Sequence, residues 1–370
     1  MHIVNFQPDM LDAAAELLSA RHARERQQRS ELPAQFERPE QARLAIQALL
    51  DKQPALAFAA IRDGRVIGYL IGNLNFTEIR ERHLWVEYAG SAIAPGVDAE
   101  VYRDLYARVA KLAVAQGYFR HYVLLPSGDE PAVNAWFCLG FGHEQVHALM
   151  TLPSVATETL TANSRSTADV DHATDTTTII SHSTSAADHA TTSFGEACNL
   201  ANVTLRLADK SDEPAVRTLA PTIMQHQVGT PVFGIALPGD APRLQDGYAG
   251  LLDEDDVSFW IATRDGEPLG YQVFWGDAPS ASNMLTPEAC VSLGVGGTLP
   301  AARGLGLGTA LVQKGFQHAQ AQGYTTCSTD WRMTNLLSSR FWPKLGFHPV
   351  AYRLFRHIDP RISWADGRNV

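Results

Sequence analysis

A long helical stripe runs Leu307, Leu311, Gly315, Ala319, with Ala310 beside it. Four-residue spacing of this kind predicts an amphipathic helix that ends near Gln322. An apolar run from Val291 to Val295 precedes it, followed by Gly296-Gly297, Pro300 and Arg303-Gly304-Leu305-Gly306-Leu307-Gly308. The order reads as strand, glycine loop, helix. Downstream, the β-branched stretch Tyr324 to Asp330 predicts a strand, the residues after Asn335 a second helix, and Val350 to His357 a closing strand. Upstream, Val203 to Ala208 predicts a strand. A helix through Ala215, Leu219 and Ile223 is expected next, capped by Asp209 or Asp212 and broken from Gln225 onward.

The same succession occurs in the first 150 residues. Asp63-Gly64 lies between strand patterns at 57–62 and 66–73, as Asp265-Gly266 does between 259–264 and 269–274. Gln116-Gly117-Tyr118 matches Gln322-Gly323-Tyr324, and Leu139-Gly140-Phe141 matches Leu345-Gly346-Phe347, each pair 206 residues apart. Equal offsets across separate motifs indicate an internal duplication. A helical face of Val101, Leu105, Val109, Leu112 and Ala113 survives in the first copy. At the glycine loop, however, the offset sets Val97 against Arg303, Asp98 against Gly304, Glu100 against Gly306 and Tyr102 against Gly308. Asn335 meets Asp129.

Glycines before a helix let main-chain N–H groups approach a ligand closely, and a helix N-terminus favours negative charge. The loop therefore suits a phosphate or pyrophosphate. It lacks the Lys-Ser/Thr of a Walker A loop, and its third glycine position does not fit the dinucleotide fingerprint. Acidic residues in the first copy would repel such a ligand.

Arg303-x-x-Gly306-x-Gly308, followed by Asn335 and by Leu345-Gly346-Phe347, resembles the GNAT superfamily of acyltransferases over roughly the last half of the chain. The resemblance implies an α/β fold of two GNAT-like domains, each a twisted, mostly antiparallel sheet flanked by helices. The expected division is 1–153 for a degenerate domain without a cofactor loop, 154–202 for a linker, and 203–370 for an acetyl-coenzyme A-binding domain. It further implies N-acetyl transfer from acetyl-coenzyme A to a primary amine, on a small molecule or a peptide, by direct attack. The alternative is a non-catalytic acetyl-coenzyme A sensor or interaction scaffold.

The resemblance also assigns residues. Gly297, Thr298 and Leu299 on the strand, Arg303 to Thr309 (with Gly304, Leu305, Gly306, Leu307 and Gly308), and Asn335 are expected to hold the cofactor. Main-chain groups from Gly296 onward would face the thioester. Relatives carry a Tyr four residues before the Gly of Leu-Gly-Phe as the acid, but Trp342 stands there. Tyr352, Ser338 and Ser339 are the substitutes. The base position of relatives falls near Ser292, which leaves Glu288, Asp330 and His226 as candidates. His226 and Phe233 are expected at the acceptor wall, and Arg340 and Lys344 near phosphates.

Composition narrows the surroundings. Forty acidic against thirty basic residues give a net charge of −10, which argues against bulk-charge binding of nucleic acid. With 45% hydrophobic residues the chain has material for real cores. Cys138, Cys198, Cys290 and Cys327 form no CxxC pair, and no metal is expected; His172, His182 and His189 lack ligands at metal spacing. The absence of an apolar N-terminal run or spanning stretch predicts a cytoplasmic protein without a membrane partner. The stretch 154–202 is Ser, Thr, Ala, Asp and His-rich and is expected to be a mobile linker. The first copy is then expected to pack on the second or to form a homodimer contact.

Overall fold

The computed structural model describes residues 1–153, 200 and 202–368. All but Leu200 and Asn202 of the 154–202 stretch, with Cys198 and the three histidines, lies outside the described residues. The N-terminal half runs β1 (His2–Asn5), α1 (Leu11–Gln28), α2 (Pro39–Asp51), β2 (Ala55–Arg62), β3 (Arg65–Thr77), β4 (Glu81–Val86), β5 (Ser91–Ile93), α3 (Glu100–Ala115), β6 (Arg120–Pro126), α4 (Glu130–Phe137) and β7 (Gly142–Thr151). The C-terminal half runs β8 (Val203–Leu207), α5 (Glu213–Leu219), α6 (Thr222–Gln227), α7 (Asp240–Gly250), β9 (Val257–Arg264), β10 (Glu267–Asp277), β11 (Cys290–Thr298), α8 (Leu307–Ala321), β12 (Thr326–Arg332), α9 (Leu336–Lys344) and β13 (His348–His357).

Both Asp-Gly turns form as the strand patterns predict. Asp63 and Gly64 have φ of 52° and 74°, Asp265 and Gly266 of 52° and 85°. Two positive values in a row match the twist of the strands they join. Helix α8 also forms as its stripe predicts, with Leu307, Leu311 and Ala319 buried. At Gly315 a Cβ would stand 2.1 Å from the Phe274 ring, so the glycine lets the helix settle on β10.

Three expectations are corrected. The helix through Ile223 is two helices, α5 and α6, because Pro221 between them has no N–H to donate. Strand β12 starts at Thr326, two residues late, because the Tyr324 N–H bonds Ala319 C=O and closes α8. On α3, Leu112 is 40% exposed, and Tyr102 and Tyr106 fill the buried face beside Val101, Leu105, Val109 and Ala113. On β11, Gly296 and Gly297 pair in register with Gln272 and Tyr271, and the register slips at Gly294.

Among the described residues the strands form one mixed sheet flanked by helices. Its order is β1-β2-β3-β4-β6-β13-β7-β12-β11-β10-β9-β8, with β5 paired to β3. The last strand of each half lies in the other half. Strand β7 pairs antiparallel with β12 over Thr326–Arg332, and β13 pairs antiparallel with β6 over Ala351–His357. The two exchanged strands also pair with each other. At this seam buried Arg353 of β13 donates to Glu144 of β7 at 2.6 Å and to Gln145.

Candidate active site

Strands β11 and β12 run parallel and pair only over Cys290–Leu293 and Thr326–Thr329, after which they part. From Gly294 to Thr298 the edge of β11 facing β12 has no ladder partner among the described residues. An unpaired strand edge inside a sheet leaves main-chain N–H and C=O groups to be satisfied by something else. A 730 Å³ cavity opens there, lined by Gly296, Gly297, Thr298, Arg303, Gly304, Gly306, Leu307, Gly308, Thr309 and Asn335 among others. The sequence assigned all of these to the site. Leu299 and Leu305, assigned with them, do not line it; Leu299 packs against the core under α5.

The loop geometry follows from its glycines. Gly304 and Gly306 both have φ of +78°, a conformation that side chains disfavour. Gly306 is the N-cap of α8, and among the described residues no side chain caps that end. The first-turn N–H groups therefore face the cavity carrying the helix's partial positive charge. Arg303, Arg340 and Lys344 add three cations to the lining. A Cβ on Gly308 would meet Phe341 at 3.5 Å and Thr298 Oγ1 at 3.9 Å, both ordinary contacts. Packing does not require glycine there, so the open space serves access to the helix end. These features fit a diphosphate-bearing cofactor.

The other assigned residues separate clearly. Asn335 caps α9, accepting from the N–H groups of Leu337 (3.2 Å) and Ser338 (3.3 Å), while His226 Nε2 lies 3.2 Å from its Oδ1. His226 and Ser338 line this cavity. Trp342 lines it too, yet its ring is 8% exposed and packs edge-on to Phe347 at 5.7 Å. Tyr352 lines neither of the two cavities described in this section; its ring abuts His143 at 4.5 Å. Glu288, exposed in the loop before β11, also lines neither, and nor does Phe233, 72% exposed in the loop after α6.

The glycines of β11 have their own cause. A Cβ on Gly294 would lie 1.6 Å from the Trp275 ring, and one on Gly296 1.9 Å from Gln272 Oε1. Cross-strand side chains thus lie over the strand. Gln272 is 5% exposed and its Oε1 has no partner among the described residues.

A second cavity of 490 Å³ meets the first at Leu293, Gly294, Thr329 and Asp330. It lies between the halves. Lys52, Glu87, Tyr88, Leu124 and His147 come from the N-terminal half, Trp275, Asp277 and Ser292 from the C-terminal half. The loop between β10 and β11 closes it, anchored by Met284, which is 1% exposed within the N-terminal core. In that loop Asn283 Nδ2 donates to Thr286 Oγ1 (2.7 Å), and Thr286 Oγ1 to Asp277 Oδ2 (3.1 Å).

Sequence reasoning missed Gln272, Trp275, Asp277, Glu87 and His147. The last two sit in the half whose loop had decayed, and no local signal tells that strand β7 crosses into the other half. In the N-terminal half the matching loop is filled: Val97 packs on the core with Ile93 and Val101, Asp98 accepts from Glu100 N–H (3.0 Å), and Glu100 pairs with Arg103 at 2.7 Å.

Residues 228–347 match the family model described as acetyltransferase (GNAT) family. No curated protein matches the chain by sequence. Among solved structures, a GCN5-related N-acetyltransferase from Sphaerobacter thermophilus is 13% identical, covers 96% of this chain and 95% of its own, and superposes with a TM-score of 0.51. A tandem GNAT protein from the clavulanic acid biosynthesis pathway is 14% identical over 96% of this chain and 98% of its own, with a TM-score of 0.45. A GNAT-family acetyltransferase from Colwellia psychrerythraea is 11% identical over 97% and 100%, with a TM-score of 0.41. The first of these likenesses extends the fold to nearly the whole chain.

Proposed function

We propose that this chain, whose residues 228–347 match the acetyltransferase (GNAT) family, moves an acetyl group from acetyl-coenzyme A to a primary amine. The observation that carries this reading is the parting of β11 from β12 beside an uncapped helix N-terminus. A linear cofactor with a diphosphate and an amide-bearing arm satisfies both the free N–H groups of α8 and the free edge of β11. Acetyl-coenzyme A supplies the activated acyl group as a thioester.

The chain's own residues then have four tasks. Gly306, Leu307 and Gly308 present N–H groups to phosphate oxygens, with Arg303, Arg340 and Lys344 as counter-charges. Main-chain groups of Gly296 to Thr298 align the arm. Holding the reactants in line is worth the larger share, on the order of 7–11 kcal/mol. An N–H of the same strand facing the developing oxyanion adds roughly 2.7–4 kcal/mol. The acceptor approaches from the second cavity, through the opening at Gly294 and Asp330.

Isothermal titration with acetyl-coenzyme A is expected to give one site per chain, and thiol release across an amine panel is expected to show turnover. Binding without turnover on any amine would reject amine acetylation, and no binding would reject the whole reading.

A further inference from the structure

The cavity between the halves has a chemistry of its own. Three carboxylates, Glu87, Asp277 and Asp330, line it against one ammonium, Lys52. Lys52 lies 3.8 Å from Glu87, which leaves Asp277 and Asp330 as the carboxylates without a cation in this lining. His147 stands directly across the β7–β12 ladder from Asp330, so both side chains emerge on one face. The Nε2 of His147 is shielded from solvent and has no partner among the described residues. His147 itself lines the cavity, which sets its imidazole within reach of a bound acceptor.

We propose that this cavity seats a small acceptor with two cationic groups, and that His147, on the strand lent by the N-terminal half, takes the proton from its reacting ammonium. The proposal rests on the acetyl-coenzyme A reading above. One nitrogen of the acceptor is held at the opening by Asp330, which lines both cavities, and the second cation sits toward Asp277 and Glu87. His147 accepts one N–H proton. The freed lone pair forms the C–N bond to the acetyl carbon while the C–S bond breaks, its electron pair leaving on sulfur. The remaining extra proton on nitrogen passes to solvent.

His147 is suited to this task because burial pushes its pKa below the ordinary value, keeping the imidazole neutral at pH 7. The charges facing it are Asp330 on β12 and Glu144 on β7, which raise its pKa, and Arg353 on β13, which lowers it. Lys52, Glu87 and Asp277 complete the cavity wall.

The test uses the full chain, with 1,4-diaminobutane and hydroxylamine as probes. Hydroxylamine is already neutral at pH 7 and needs no base, whereas an alkylammonium of pKa about 10.4 does. For His147→Gln, thiol release with the diamine at pH 7 is expected to fall about a hundredfold or more. Its rate should then climb with pH toward the amine's own ionisation, while hydroxylamine turnover and acetyl-coenzyme A affinity stay unchanged. Diamine turnover and pH profile unchanged in His147→Gln would overturn the base assignment. Calorimetric binding of the diamine alone, lost in Asp277→Asn, supports the seat independently of turnover and of His147 folding effects; no binding to the wild-type chain overturns it. If the diamine binds but acetyl-coenzyme A does not, the acetyl-transfer reading fails and the cation seat stands.

Discussion

At the scale of single residues, backbone conformation decides whether the loop can serve a phosphate. Gly306 is held at φ +78° at the head of α8. Gly306→Glu would combine a strained backbone with a carboxylate aimed at the anion site, as Glu100 stands in the first copy. Acetyl-coenzyme A binding is expected to be abolished, read as loss of the calorimetric signal with the circular dichroism spectrum unchanged. Retained binding would show that the loop does not hold the phosphates.

Two buried histidines predict a pH dependence of folding. Burial pushes His22 and His121 down to about 4. Unfolding returns each to the ordinary value near 6.5, so between about 6.5 and 4 the unfolded chain binds more protons. Stability is therefore full above this window and falls as pH drops through it, by on the order of 3 kcal/mol per histidine. Urea midpoints at pH 7.5, 6 and 4.5 should decline in that order; equal midpoints at 7.5 and 4.5 would contradict it.

At the scale of elements, helix α9 carries a residue that the family pattern made suspect. Trp342 belongs to the core formed with Phe316 and Phe347, and it has no hydroxyl to give a proton. Trp342→Phe is expected to keep kcat within about threefold while lowering stability by about 1–2 kcal/mol. Steady-state kinetics beside urea unfolding separates the two effects, and a loss of kcat by orders of magnitude with intact cofactor affinity would make the indole a participant. Strand β13 offers a sharper stability test. Arg353, 5% exposed, is held by Glu144 and Gln145 of the neighbouring strand. Glu144→Ala leaves a buried guanidinium without its carboxylate and should cost about 3–5 kcal/mol. A double change with Arg353→Met should recover a large part of it, and no recovery would show the pair is not the cause.

At the scale of the whole molecule, the exchange of β7 and β13 makes each half incomplete without the other. A fragment of residues 203–370 has β12 and β13 with no strand between them, although in the full chain β7 bonds both. Cutting it out exposes two unpaired strand edges and the apolar side chains Val146, Ala148 and Met150 would have covered. That fragment is expected to be insoluble or inactive, and adding residues 1–153 during refolding is expected to restore acetyl-coenzyme A binding. A soluble, fully active 203–370 fragment would show that the seam is dispensable.

Some of this was fixed by the order of residues alone. The Asp-Gly turns, the stripe of α8, the glycine loop and the decay of its counterpart are local: each rests on backbone conformations and spacings that a short segment sets for itself. The 206-residue repeat was visible because both copies kept the same turns. Which half completes which sheet was not visible, because β7 and β13 have similar patterns and either could close either half. The structure sets β7 beside β12 and β13 beside β6, a pairing between distant segments that no local pattern encodes. The second cavity follows from that pairing. Glu87, His147 and Asp277 are far apart in sequence and carry no motif, and only the joined sheet and the Met284-anchored loop bring them to one wall.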